Sequence, residues 1–230
     1  MLISEIYRSL QGEGLLTGTP SVFVRTSGCN LRCSFCDTPF ASWNPTGDKL
    51  EIVQILDRIN EVANQAKHVV ITGGEPMLPR EIKTLCAGVR QSDFHITIET
   101  AGTIYHDLDC DLMSISPKLS NSDPRQERAG EWAAKHQSTR HRPEIVRQLL
   151  DQYNHQLKFV VDVKSDLDEI EAYLKQIEPF DRSRVLLMPQ GIELEELERR
   201  AQWLIPLCEE RGYVYCPRKH IEWYGNKRGT

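Results

Sequence analysis

Three of the chain's seven cysteines, Cys29, Cys33 and Cys36, fall within one stretch of eight residues. The spacing Cys-x-x-x-Cys-x-x-Cys lets a single loop present three thiolates to three corners of a cubane iron–sulfur cluster. A 4Fe-4S cluster held this way keeps one iron without a protein ligand, and that iron is open to chemistry. Structural zinc is the plainer alternative. Zinc normally takes four ligands, commonly from two paired groups. Asp37 or a distant histidine would have to be the fourth, and the chain has no second Cys-x-x-Cys and no His-x-x-x-His pair. Cys86, Cys110, Cys208 and Cys216 are scattered and read as ordinary core thiols. An odd, clustered set does not suit a disulfide framework.

A second group follows a short apolar run. Thr72-Gly73-Gly74-Glu75-Pro76 comes directly after His-Val-Val-Ile. Two glycines let backbone groups approach a ligand closely, and a carboxylate accepts from an ammonium. Alone, the motif is also a plain turn. Leu10-Gln11-Gly12-Glu13 offers an acceptor beside a group that both donates and accepts. Arg25 offers a fork for a carboxylate. Alternation puts Val22 and Val24 on one strand face and Phe23 with Arg25 on the other, without deciding which face meets the core.

These residues need a frame. Residues 21–26, 68–72, 95–99, 112–116, 157–163, 185–188 and 213–215 read as short strands, many of them β-branched. Residues 50–64, 80–91, 142–153, 166–177 and 194–211 carry helical spacing. Asp166 is a candidate N-cap and Gly212 a candidate C-cap. Strands separated by helices indicate βαβ units and a mainly parallel sheet. Six or seven strands are fewer than a closed (β/α)8 barrel needs. The expectation is an α/β fold, a modified and incomplete (β/α) barrel, in one domain over 1–230. Residues 120–141 are polar and irregular, and read as an insertion or mobile loop.

Composition narrows the class. With 230 residues, 40% apolar and 27% charged, the chain can bury a sizeable core. A net charge of −5 does not favour a nucleic-acid surface. Glu5, Arg8 and Gln11 interrupt any signal-like run, and no stretch nears the ~20 apolar residues of a membrane span. A cytoplasmic protein with no membrane partner is expected.

The cysteine spacing, with Phe35 just before the last cysteine, resembles the signature of the radical S-adenosylmethionine superfamily, and Gly73-Gly74-Glu75-Pro76 resembles its cofactor motif. Within that superfamily, Glu5–Gly14, the stretch from Gly18 to Arg25, Cys36-Asp37-Thr38, Ser116-Pro117-Lys118 and residues 157–161 are similar to the 7-carboxy-7-deazaguanine synthase family. The resemblance implies ring contraction of 6-carboxy-5,6,7,8-tetrahydropterin with loss of ammonia, for 7-deazapurines such as queuosine. It implies a 4Fe-4S cluster, S-adenosylmethionine, Mg2+, a reductant such as flavodoxin or ferredoxin, and a homodimer.

By the same resemblance, Leu10, Gln11, Gly12, Glu13, Arg25 and Thr72 match substrate positions, and Thr38 matches a magnesium ligand. Phe35, Cys36, Asp37, Gly73, Gly74, Glu75, Ser116, Pro117, Lys118 and Gln190 match cofactor positions, and Glu99-Thr100 is a further candidate near the ribose. The tail after His220 and the 120–141 segment depart from some relatives, which puts the tail's part in the site in doubt. His220 reads first as a structural histidine. Two rivals remain: an activase of glycyl-radical enzymes, and a non-catalytic Fe–S or zinc module.

Overall fold

A computed structural model describes all of residues 1–230. One nine-stranded sheet runs in the order β3-β1-β2-β4-β5-β6-β7-β8-β9 and does not close. From β2 (Pro20–Thr26) through β4 (His68–Gly73), β5 (His95–Thr100), β6 (Leu112–Ile115), β7 (His155–Val161), β8 (Val185–Pro189) and β9 (Val214–Tyr215), neighbours pair in parallel. These seven are the strands expected from the sequence. Two more extend the sheet at its β2 edge. β1 (Leu2–Leu10) pairs antiparallel with β2, and the two-residue β3 (Asp48–Lys49) pairs antiparallel with β1.

Helices α1 (Ile52–Ala63), α2 (Ile82–Gln91), α6 (Asp166–Gln176) and α7 (Leu194–Arg211) supply the crossovers expected after β2, β4, β7 and β8. Gly212 ends α7 in the left-handed conformation, φ 70°, as a C-cap glycine should. Ser165 is the N-cap of α6. The Asp166 carboxylate instead accepts from the backbone N–H of Asp162 and Val163, bracing the loop that leaves β7.

The β6–β7 connection is where expectation and structure differ most. Residues 120–141 are helical: a 3-10 turn at Ser120–Ser122, then α3 (Gln126–Ala129) and α4 (Glu131–Arg140), followed by α5 (Pro143–Gln152). The last helix, α8 (Lys219–Tyr224), follows β9.

The main core lies between sheet and helices. Val22 and Val24 of β2, Ile71 of β4, Ile98 of β5, Phe159 of β7 and Leu187 of β8 all point into it with no exposure. The opposite strand face therefore carries the alternate residues, among them Arg25, Thr72, Glu99 and Lys158. Strand alternation thus separates an apolar outer face from a polar inner one. No helix is long and apolar enough to cross a membrane.

Candidate functional site

The cysteine loop leaves the C-terminal end of β2, where α/β sheets gather ligands. Its start is fixed by backbone hydrogen bonds: Gly28 N–H donates to Ala41 at 2.7 Å, and Glu75 N–H donates to Gly28 at 2.9 Å. Gly74 lies so close beneath the loop that a Cβ would run into the carbonyl oxygens of Gly28 and Ala41. The Trp43 indole N–H donates to the Cys33 carbonyl at 3.0 Å. Sequence reasoning assigned the glycine pair to ligand approach. The structure adds that Gly74 admits the loop itself.

Glu75, a candidate cofactor position, has no exposure and is not among the residues lining the cavity. Its oxygens accept from Thr100 Oγ1 at 2.8 Å, the Ala101 N–H at 2.8 Å and the Met77 N–H at 3.0 Å. Burial raises its pKa, while these hydrogen bonds work the other way. Glu75 is a brace between the ends of β4 and β5. Pro117 is likewise absent from the lining, whereas its neighbours Ser116 and Lys118 belong to it.

Cys29, Cys33 and Cys36 all border one open cavity. Burial pushes the Cys29 and Cys33 thiols up to about 12, as it does the core thiols Cys86, Cys110 and Cys208. The Cys36 sulfur is within 3.0 Å of Ser42 Oγ. No three His, Cys, Asp or Glu side chains converge as a single-ion site does. Three thiols around one cavity fit a multi-iron cluster better than tetrahedral zinc. Phe35, Asp37, Gly73, Gly74, Ser116, Lys118 and Gln190 line the same cavity. Phe35 packs on a small apolar cluster of Val160, Leu186, Met188 and Cys216. Lys118 Nζ donates to the carbonyl and hydroxyl of Ser116, both at 2.7 Å.

A second cavity, of about 1310 Å³, adjoins the first and shares Glu13, Asp37, Thr38, Thr72, Gly73 and Glu99 with it. Leu10, Gln11, Gly12 and Arg25 belong to this second wall. Strand register builds a polar row behind it. Glu5 pairs with Arg25, Arg25 with Thr72, Glu99 with Ser114 and Ser114 with Gln156. Arg25 Nε donates to Glu5 at 2.6 Å and its Nη2 to the Tyr7 hydroxyl at 3.0 Å. Thr72 donates to Glu99 at 2.8 Å.

Glu13 joins the two cavities electrostatically. Burial would raise its pKa, but Lys158, Arg218 and His220 together hold it well below the usual carboxylate range. Arg218 Nε lies 3.1 Å from Glu13, and its Nη2 donates to Asp37. Sequence reasoning missed Arg218 and saw Lys158 only as part of a matching strand. Basic residues with 8% and 6% exposure look like surface ones in a sequence. His220 sits against Gly12 and borders the second cavity. The tail is in the site as well. Residues 226–230 line the second cavity, and Arg228 donates to Glu5 at 2.9 Å while covering the Phe40 ring.

Comparison with known proteins agrees with this geometry. The Radical SAM superfamily matches residues 23–133. A 7-carboxy-7-deazaguanine synthase from Rhodopirellula baltica is 47% identical over all of this chain and 89% of its own length. The chain belongs to the 7-carboxy-7-deazaguanine synthase family. It is accordingly a radical S-adenosylmethionine enzyme, and the family implies a 4Fe-4S cluster with S-adenosylmethionine. A synthase from Halobacterium salinarum is 45% identical, covering 95% of this chain and 88% of that one. QueE from Escherichia coli shares the fold, with a TM-score of 0.67, 24% identity, and 95% and 94% of the two chains covered.

Two outcomes test the site. Gly74→Ala forces the cysteine loop outward. It should cost about 1–3 kcal/mol in urea unfolding, by analogy with other overpacking and strain, and lower iron content on anaerobic loading. Glu13 has a depressed native pKa, so its stabilisation is complete above its unfolded value of 4.5 and fades as pH falls below it. Between pH 6 and pH 3, native urea midpoints should therefore drop more steeply than those of Glu13→Gln. Parallel curves would remove Glu13 from the charge network.

Proposed function

We propose that the enzyme contracts the ring of 6-carboxy-5,6,7,8-tetrahydropterin to 7-carboxy-7-deazaguanine, releasing ammonia, as a step in 7-deazapurine synthesis. The observation that carries this reading is the near-full-length 47% identity to a synthase of that name. The paired cavities supply its physical counterpart, one with the three thiols and one with a polar wall.

Cys29, Cys33 and Cys36 would hold the cluster, which with bound S-adenosylmethionine would supply radical hydrogen-abstraction chemistry. The chain's own groups orient and shield. Lys118 presents a cation at the first cavity, suited to a cofactor carboxylate, and Phe35 with Val160 and Met188 gives an apolar surface for an adenine. On the other side, the Gln11 amide and the Glu99 carboxylate offer the mixed donors and acceptors that a pterin edge needs.

Arg25 has two of its nitrogens committed to Glu5 and Tyr7. The remaining Nη1 is left for a substrate carboxylate, with Lys227 and Arg228 bordering the same cavity. Thr38 lies on the seam of the two cavities. Its hydroxyl is one hard donor for Mg2+, the others coming from substrate and water. A flavodoxin- or ferredoxin-type reductant and a homodimer belong to the same proposal and rest on the family alone. The activase reading has no comparable support, since the relatives in view are synthases.

Anaerobic incubation with the carboxy-tetrahydropterin, S-adenosylmethionine and a chemical reductant should yield the deazaguanine acid by mass. Cleavage of the cofactor with unchanged pterin would refute the substrate assignment. Thr38→Ala should raise the Mg2+ concentration for half-maximal rate by about tenfold, the loss of one ligand contact worth ~1.4 kcal/mol, with the cluster absorbance unaltered. An identical Mg2+ response would exclude Thr38 as a ligand.

A further inference from the structure

The segment of residues 120–141 grips the cysteine loop at several points. His136 of α4 has no exposure, and its Nδ1 accepts the Arg32 N–H at 3.0 Å. The Ser122 carbonyl accepts the Ser34 N–H at 2.9 Å. The backbone donors on either side of Cys33 are thus both held by this one segment. The Trp132 ring lies 3.7 Å from the Arg32 guanidinium, whose Nη1 donates to the carbonyls of Cys29 and Leu31 at 2.9 and 2.7 Å. Arg128 covers Trp43 at 4.1 Å, and Trp43 holds the Cys33 carbonyl.

The polar wiring runs in one direction. Because Nδ1 accepts, the His136 proton sits on Nε2, which donates to Ser122 Oγ at 3.1 Å. That hydroxyl in turn donates to the Leu119 carbonyl at 2.6 Å. Burial lowers the imidazole pKa to about 4, so the neutral form persists at neutral pH. Every polar atom in this chain of bonds is satisfied, and such networks fix one arrangement rather than many. The segment is anchored to the rest of the fold at both ends: Arg140 pairs with Glu169 at 3.3 Å, and Asn121 donates to the Val160 carbonyl and to Asp166, while Arg140 also pairs with Asp123 within the segment at 2.8 Å.

We propose that residues 120–141 form a clamp that holds the Cys33 corner of the cysteine loop in its metal-ligating shape, with His136 as its positioning residue. The inference rests on this loop being the iron–sulfur loop. It assigns the segment a task other than covering the substrate: it acts on how firmly the cluster is kept.

The test exploits side-chain isosteres. Asn places an oxygen where Nδ1 of histidine stands and can accept the Arg32 N–H, whereas Gln places its amide near Nε2 and reaches only toward Ser122. With the full chain loaded with iron anaerobically, two rates are measured: exchange of the amides in peptides covering residues 30–36, and iron transfer to a ferrous chelator. His136→Gln should speed both by about tenfold, one hydrogen bond of ~1.4 kcal/mol. His136→Asn should stay within about threefold of native. A purely structural histidine would lower the melting temperature equally in both variants without separating the two rates, and that result would overturn the clamp. Should either variant fail to fold, Trp132→Leu is the second probe. It should raise iron release and exchange in the same peptides, and unchanged values would equally overturn it. If the native chain took up no iron, the cluster reading would fail, while exchange in the iron-free chain would still distinguish Asn from Gln.

Discussion

The Glu75 carboxylate is out of contact with solvent, and its oxygens are met by a threonine hydroxyl and two backbone N–H groups. A buried acid is tolerable only when its acceptor capacity is filled, and removing one donor leaves a costly orphan. That requirement ties the end of β4 to the end of β5. Its own N–H reaches across to Gly28, one residue before the first cysteine. The loop that presents three thiols therefore inherits its position from an internal hydrogen-bond set in the sheet. The absence of a side chain at Gly74 lets the two backbones come close enough for this to happen.

Around that brace, charge is distributed with little waste. The inner sheet face carries a row of polar side chains on adjacent strands, each hydrogen-bonded to a neighbour. Glu13 is held ionised by Lys158 and Arg218, and Arg218 also binds Asp37. A buried network of this kind adds little net stability compared with an apolar one, but each member is costly to leave alone. The gain is geometric: the row sets the positions of groups that face both cavities.

Much of this was legible in the sequence, for physical reasons. The seven parallel strands announce themselves because their outer-face residues pack against helices and are consistently apolar. The cysteine spacing and the Gly-Gly pair are local, and local patterns survive without coordinates. β1 escaped because Glu5, Tyr7 and Arg8 break its apolar alternation, and Glu5 is polar precisely where it serves Arg25. The helices α3 and α4 escaped because their buried face is small, with Ala129, Ala133 and His136 as its buried members. The hydrogen-bond partners of Glu75, Thr100 and Ala101 at the end of β5, gave no signal because they lie 25 residues or more away in sequence. Arg218 gave no signal, since a cation's burial depends wholly on tertiary partners.

The wall of the second cavity joins residues from opposite ends of the sequence: Glu13 meets Arg218 across 205 positions, and Glu5 meets Arg228 across 223. Contacts so distant along the chain close late, because loop entropy must be overcome before they form. During synthesis, β1 and the Gln11–Glu13 turn emerge early and wait for partners at the far end of the chain, so the wall of the second cavity is completed only as the last helix and the tail dock.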